Sequence, residues 1–225
     1  MQQVVVFVQR VLHRGFFARL RQSDYDCRFF AAPMNTGMFL ASLVAHDPVD
    51  QEEEAYRDRM VEFVSSHVHD WWKHVKRDSQ TGHVTGSAWI LNRQRTHALL
   101  LHHLKLNRWL QPGGHLDENE ASPAAGAMRE AREETGLAHL SLWSEALFDV
   151  DIHAIPARAA RPGKSAAEPA HLHYDVRYLI IAADMRVAIS EESLDAKWMS
   201  LEDLAQPSHE RSIARMAEKT LRLRS

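Results

Sequence analysis

The chain has 225 residues, 45% of them apolar and 25% charged, which is ordinary for a globular protein. With 27 Lys plus Arg against 30 Asp plus Glu, its net charge of −3 excludes the basic footprint of a nucleic-acid-binding protein or of one bound to an anionic membrane. The single cysteine, Cys27, excludes a disulfide framework and a thiolate zinc site within the chain and fits a reducing, cytoplasmic setting, and no apolar run approaches the roughly 18–20 residues of a membrane span.

In chain order, residues 1–37 form an extension expected to dock poorly on the rest. Residues 9–22 are rich in Arg and lack acids, which faintly resembles an organelle transit peptide. The preferred reading is a poorly docked extension, with an over-long start and Met34 or Met38 as initiator, which N-terminal sequencing of the native protein would contradict by starting at Met1. Residues 38–79 form a helical region. Asp47 is a candidate N-cap, Pro48 stands at a first helical position, and acids fill Asp50 to Glu54. Apolar residues recur at Tyr56, Met60, Phe63, Val64, Val68, Trp71, Trp72 and Val75, close to a 3.6-residue period, so one amphipathic helix should pack here on the main domain or across a homodimer. Trp71 and Trp72 read as packing residues in preference to a base-stacking site, and His67, His69 and His74 as surface or boundary residues.

The remaining residues, 80–225, alternate strand and helix signals. Strands are expected at Ser87–Leu91, His97–His102, Trp109–Gln111, Leu147–Ile155, His173–Ile181 and Lys197–Met199, with a mobile loop over 156–170. Short and long helices are expected at Leu201–Ala205 and Ser208–Leu223. The clearest element is a helix from Pro123 to Thr135. Ser122 is its cap, Pro123 its first residue and Gly136 its C′ residue, and Ala124, Ala127, Met128, Ala131 and Thr135 form its packing face.

That helix also places Glu130, Glu133 and Glu134 together, at i, i+3 and i+4. Like charges at this spacing cost roughly 0.2–0.5 kcal/mol per pair, and acids in a last turn oppose the helix dipole. A solvated charged face relieved by Arg129 and Arg132 is the plain alternative. Acids stacked at the unfavourable end point instead to a function that compensates for them. Three carboxylates on one face make a hard-oxygen site for Mg²⁺ or Mn²⁺, and Gly113-Gly114 ahead of the helix allows a tight turn whose carbonyls reach the same ion.

These residues resemble the Nudix box. Gly114, five residues, Glu120, then Arg129-Glu130-Ala131-Arg132-Glu133-Glu134-Thr135-Gly136-Leu137 follows the family pattern, except that eight residues instead of seven separate Glu120 from Arg129. The extra residue falls in the loop near Ala121 and puts the role of Glu120 in question. The resemblance implies an α/β/α sandwich with a mixed sheet, here preceded by the N-terminal amphipathic helix. It implies hydrolysis of a nucleoside diphosphate linked to another moiety, a small-molecule diphosphate substrate, with Mg²⁺ or Mn²⁺. Glu130, Glu133 and Glu134, joined by the Gly114 carbonyl, would hold the metal, and Arg129 would orient the carboxylates. The water's proton would pass to Glu130 or to a carboxylate of another loop.

His115, His173, Asp175 and Arg177 are candidate substrate contacts, because His115 follows the glycines and the other three share one strand face. A solvent-facing His–Asp pair is the alternative for that strand, and a softer metal bound by several histidines, among them His171, is a further one. Two other functions compete. An isopentenyl-diphosphate isomerase-like enzyme predicts isomerisation without phosphate release, but Cys27 lies outside the box region. A non-catalytic nucleotide sensor predicts tight binding without turnover.

Overall fold

The computed structural model describes residues 36–66, 72–75, 82–160 and 167–223. Cys27, His67, His69 and Trp71 lie outside them. Two long strands form the centre, β1 (His83–Asn92) and β7 (His171–Ala182), which run parallel with His83 opposite His173 and Asn92 opposite Ala182. All other strand pairs are antiparallel, so the sheet is mixed.

Each central strand divides its outer edge between two partners. Along β1, the short strand β4 (Gly113–His115) pairs with Thr85–Ser87, and β2 (His97–His103) pairs further on through Leu91 and Ala98. Along β7, β6 (Asp149–Ile155) takes the first half and β5 (Leu140–Leu142) the second. Strands β3 (Arg108–Leu110) and β8 (Ser193–Ser200) flank β2. Six strands were expected, and all six are present with shifted ends. The two missed strands, β4 and β5, are three residues long and lack a β-forming run.

Helices cover both faces of the sheet. On one, α4 (Pro123–Thr135) has the expected bounds. The Ser122 hydroxyl accepts from the Ala125 N–H at 3.1 Å, and Gly136 adopts the left-handed φ of 64° that its C′ position requires. Gly86 lets this helix approach the sheet, since a Cβ there would stand 3.1 Å from the Pro123 carbonyl oxygen. On the other face, α5 (Leu201–Leu204) and α6 (Arg211–Arg222) enclose Trp89, Leu91 and Leu179, and the Trp89 indole N–H donates to Thr220 Oγ1 at 2.9 Å.

The N-terminal region differs from the expectation. Instead of one helix from Asp47 to Val75 there are α1 (Thr36–Ala45), α2 (Gln51–Ser65) and α3 (Trp72–Val75). The cap of α2 is Asp50, which accepts from the Glu53 N–H at 2.8 Å, so Pro48 precedes the helix. At the far end Ser66 turns its hydroxyl back onto the Phe63 carbonyl at 2.6 Å. Met60 and Val64 are buried within the chain, and Phe63 stacks on Tyr174 with centroids 4.1 Å apart. His74, read as a boundary residue, is fully buried against the edge of the Phe63 ring.

The acids at the cap and first turn of α2 do more than compensate the helix dipole. They grip three basic residues on successive turns of α6: Asp50 meets Arg211 at 2.6 Å, Glu52 meets Arg215 at 3.1 Å, and Glu53 meets Lys219. Glu53 is wholly buried and also meets His46 Nε2 at 2.8 Å. Burial alone would raise its pKa, but the bonds to His46 and the charge of Lys219 prevail and pull it down to about 2. A carboxylate whose pKa is lower folded than unfolded stabilises the fold above its unfolded value of 4.5 and loses that contribution as pH falls towards 2. Acid titration followed by circular dichroism should therefore show stability falling from about pH 4.5 downward. Glu53→Gln should flatten that slope by roughly 3 kcal/mol across the interval.

Candidate active site

The box helix, the β4 turn and the loop between them converge on one side chain. Arg129 Nε donates to Glu120 at 2.8 Å, while its Nη1 donates to Glu130 at 2.9 Å and to Glu133 at 3.0 Å. Its Nη2 donates to the His115 carbonyl at 2.8 Å. The guanidinium fork thus sets three carboxylates and the end of β4 in one arrangement, a task its planar geometry suits. Glu120 reaches Arg129 despite the extra residue in the loop, because its other oxygen accepts from the Asp117 N–H at 2.9 Å and folds the loop back.

Glu134 stands apart from that fork. Burial, with the nearby charges of Glu130 and Glu192, pushes its pKa up to about 8, although the Gly113 N–H bonds to it. Burial likewise raises that of Glu130, against the pull of Arg129. The pair is thus a crowded, half-buried carboxylate cluster with more negative charge than its surroundings neutralise. Its donors are all oxygens, the set that hard divalent cations take. Burial and crowding both fit such a cation, since it would relieve the repulsion that lifts the two pKa values.

Gly114 is held to its residue type by this cluster. A Cβ there would lie 2.7 Å from Glu130 Oε1 and 2.8 Å from its Cδ, closer than real contacts allow. Gly126 stands similarly behind Glu120, with a Cβ 2.5 Å from Oε2. Gly114→Ala should displace Glu130 and lower kcat by up to about 10²-fold, the effect of a misplacement near 1 Å, with the melting temperature little changed. Steady-state kinetics beside a thermal melt would check it, and unaltered kcat would contradict the assignment.

The four candidate substrate contacts separate into two groups. His115 and His173 come together with ring centroids 5.3 Å apart, in a cluster that also holds His83 and His171. Asp175 and Arg177 lie deeper on the same face, each 2% exposed, so that face is buried polar structure and no solvent face. Asp175 accepts from Ser87 Oγ at 2.7 Å, Thr85 Oγ1 at 3.1 Å and Arg177 Nε at 2.8 Å. Arg177 reaches Asp149 and Asp151 as well, both at 3.1 Å. The His–Asp pair on this face is His153 with Asp151 at 3.1 Å, not His173 with Asp175. His83 was missed because the expected strand began at Ser87. The face it shares with Thr85 and Ser87, two and four residues on, was the signal that could have found it.

Among the described residues, no helix is long and apolar enough to cross a membrane. Comparison with solved structures finds a NUDIX-family hydrolase from Clostridium perfringens at 27% identity and TM-score 0.46, covering 67% of this chain and 99% of that one. A C. elegans Ap4A hydrolase binary complex matches at 19% and 0.44, covering 62% and 96%. The NUDIX domain of Shewanella oneidensis NrtR complexed with ADP ribose matches at 18% and 0.43, covering 65% and 90%. No curated protein sequence matches significantly. The sequence profile of the NUDIX domain matches residues 82–219, more than half of the chain. With the box residues gathered around Arg129 on the expected sandwich, the chain belongs to the Nudix family of pyrophosphohydrolases.

Proposed function

We propose that the protein hydrolyses a diphosphate linkage in a nucleoside diphosphate derivative or similar small phosphorylated metabolite, using Mg²⁺ or Mn²⁺. The observation that carries this reading is the carboxylate cluster of Glu130 and Glu134, half-buried, crowded and lifted in pKa behind the Arg129 fork. Glu130, Glu133 and Glu134 would hold the cation, with the Gly114 carbonyl beside them. When bound, such a cation neutralises diphosphate oxygens and lowers the pKa of a coordinated water.

The chain's own residues supply the rest. Arg129 orients Glu120, Glu130 and Glu133 and holds the β4 end through the His115 carbonyl. Water attacks one phosphorus, the bridging P–O bond breaks, the bridging oxygen leaves with the other phosphate, and a site carboxylate takes the water's proton. His115, on β4, and His173 come together on the strand face away from the box helix. Asp175 and Arg177, bonded to each other and to neighbouring strands, keep β1, β6 and β7 in place behind β4.

The test is a panel of nucleotide sugars, dinucleoside polyphosphates and nucleoside triphosphates incubated with Mg²⁺ or Mn²⁺, read by released monophosphate or phosphate. Metal-dependent cleavage of at least one substrate class is expected. Tight binding without turnover, or isomerisation without phosphate release, would overturn the reading.

A further inference from the structure

A second cluster of potential ligands lies on the opposite face of the central strands from the box helix. The parallel register sets His83 of β1 directly beside His173 of β7, and a period of two puts His171 on the same face as His173. One ligand nitrogen from each of these three residues lies within 4.8 Å of the others. His83 is fully buried, His171 is 5% exposed and His173 is partly buried. The rings of His115 and His153 touch the group, at 4.9 Å from His83 and 5.4 Å from His173 respectively.

Hydrogen bonding fixes what one of these rings offers. His171 Nδ1 lies 2.9 Å from the Pro169 carbonyl oxygen, which only accepts, so Nδ1 is the donor there and Nε2 is the ring atom left for a ligand. That Nε2 has no hydrogen-bond partner, since the nearest acidic oxygen, on Glu168, is 3.8 Å away. Nε2 of His173 is buried without a hydrogen-bond partner too. A carbonyl that orients a histidine by its outer nitrogen while the inner one faces other imidazoles is the arrangement found around metal-bound histidines. Buried nitrogens without partners otherwise lower stability.

We infer that His83, His171 and His173 form a site for a divalent ion of the zinc class, separate from the oxygen-lined Nudix carboxylates. Three imidazoles suit Zn²⁺ or Co²⁺ and are a poor set for Mg²⁺. Metal–nitrogen bonds of about 2.0–2.1 Å set tetrahedral donors roughly 3.3 Å apart, so the rings close in by about 1.5 Å through side-chain rotation. The ion ties the leading end of β1 to that of β7. Through ring contact with His115, it also braces the strand that carries Gly114. The inference does not rest on the proposed hydrolysis.

The test is binding of Co²⁺ and Zn²⁺ to the full-length, untagged, metal-stripped protein carrying Glu134→Gln, which weakens the carboxylate site. One equivalent of Co²⁺ should bind with the intense visible bands of four-coordinate cobalt, and Zn²⁺ should displace it and raise the melting temperature. His171→Ala and His83→Asn, on different strands, should each weaken binding by about 10²-fold, with folding followed by circular dichroism. Absence of stoichiometric binding in the parent would overturn the site. So would wild-type affinity in whichever of the two histidine variants folds.

Discussion

Glu134→Gln should lower kcat by roughly 10²–10⁴-fold while leaving the metal-free protein at least as stable as before. The loss follows from removing a charged oxygen donor at a site where cation and positioned carboxylate together carry the chemistry. The retained stability follows from the crowding. Glu134 lies near the charges of Glu130 and Glu192 in a half-buried place, so an isosteric neutral amide removes repulsion and keeps the packing. A structural role for Glu134 predicts the reverse, a fall in melting temperature with kcat preserved. Steady-state kinetics on any accepted substrate, beside a thermal melt in chelator, separates the two. The same variant should also lose the rise in melting temperature that Mg²⁺ or Mn²⁺ gives the wild type.

Lys219→Met should destabilise the fold by about 3–5 kcal/mol, a fall in melting temperature of roughly 6–20 °C. The Lys219 ammonium lies between Glu53 and Asp149, with Asp149 at 3.0 Å and the Phe148 carbonyl at 2.8 Å. Both carboxylates are fully buried, and while Asp149 keeps Arg177 and Arg215, removing the cation leaves the Glu53 charge without it in a low-dielectric interior. Arg215, wholly enclosed, also meets Asp149, at 2.8 Å, but its bonds are already committed to Asp149, Glu52 and the Val150 carbonyl. Arg211→Met is the contrast. Its partners Asp50 and Glu218 are partly exposed, so the change should cost under about 1 kcal/mol. Denaturant melts of the two variants measure the difference, and equal effects would show that burial does not set the strength of the α2–α6 contact.

The box helix was legible to the residue because its signals are local. A capping serine, a proline and a C′ glycine act within one turn of the backbone they terminate. The acids at its C-terminal end announced their crowding for the same reason. What stayed hidden depends on partners far along the chain. Strand β4 is Gly-Gly-His, with no β-forming residue, and exists because Thr85–Ser87 pair with it. The acids at Glu52 and Glu53 read as dipole compensation, since Arg215 and Lys219 stand more than 160 residues away. His83 gained its meaning only from the register that puts it beside His173. The start of α2 at Gln51 was a contest between two nearby aspartates, decided by which one reaches a free amide.

The most direct test of the central claim, that the Arg129-braced carboxylates form a divalent-cation centre for diphosphate hydrolysis, is one titration with two readouts. Metal-stripped wild-type protein is titrated with Mn²⁺ while bound metal and the cleavage of an accepted nucleoside diphosphate derivative are followed together. The account predicts that both rise over the same concentration range and that Glu130→Gln and Glu134→Gln weaken both. Full hydrolysis in chelator, or Mn²⁺ binding unchanged by either substitution, would contradict it.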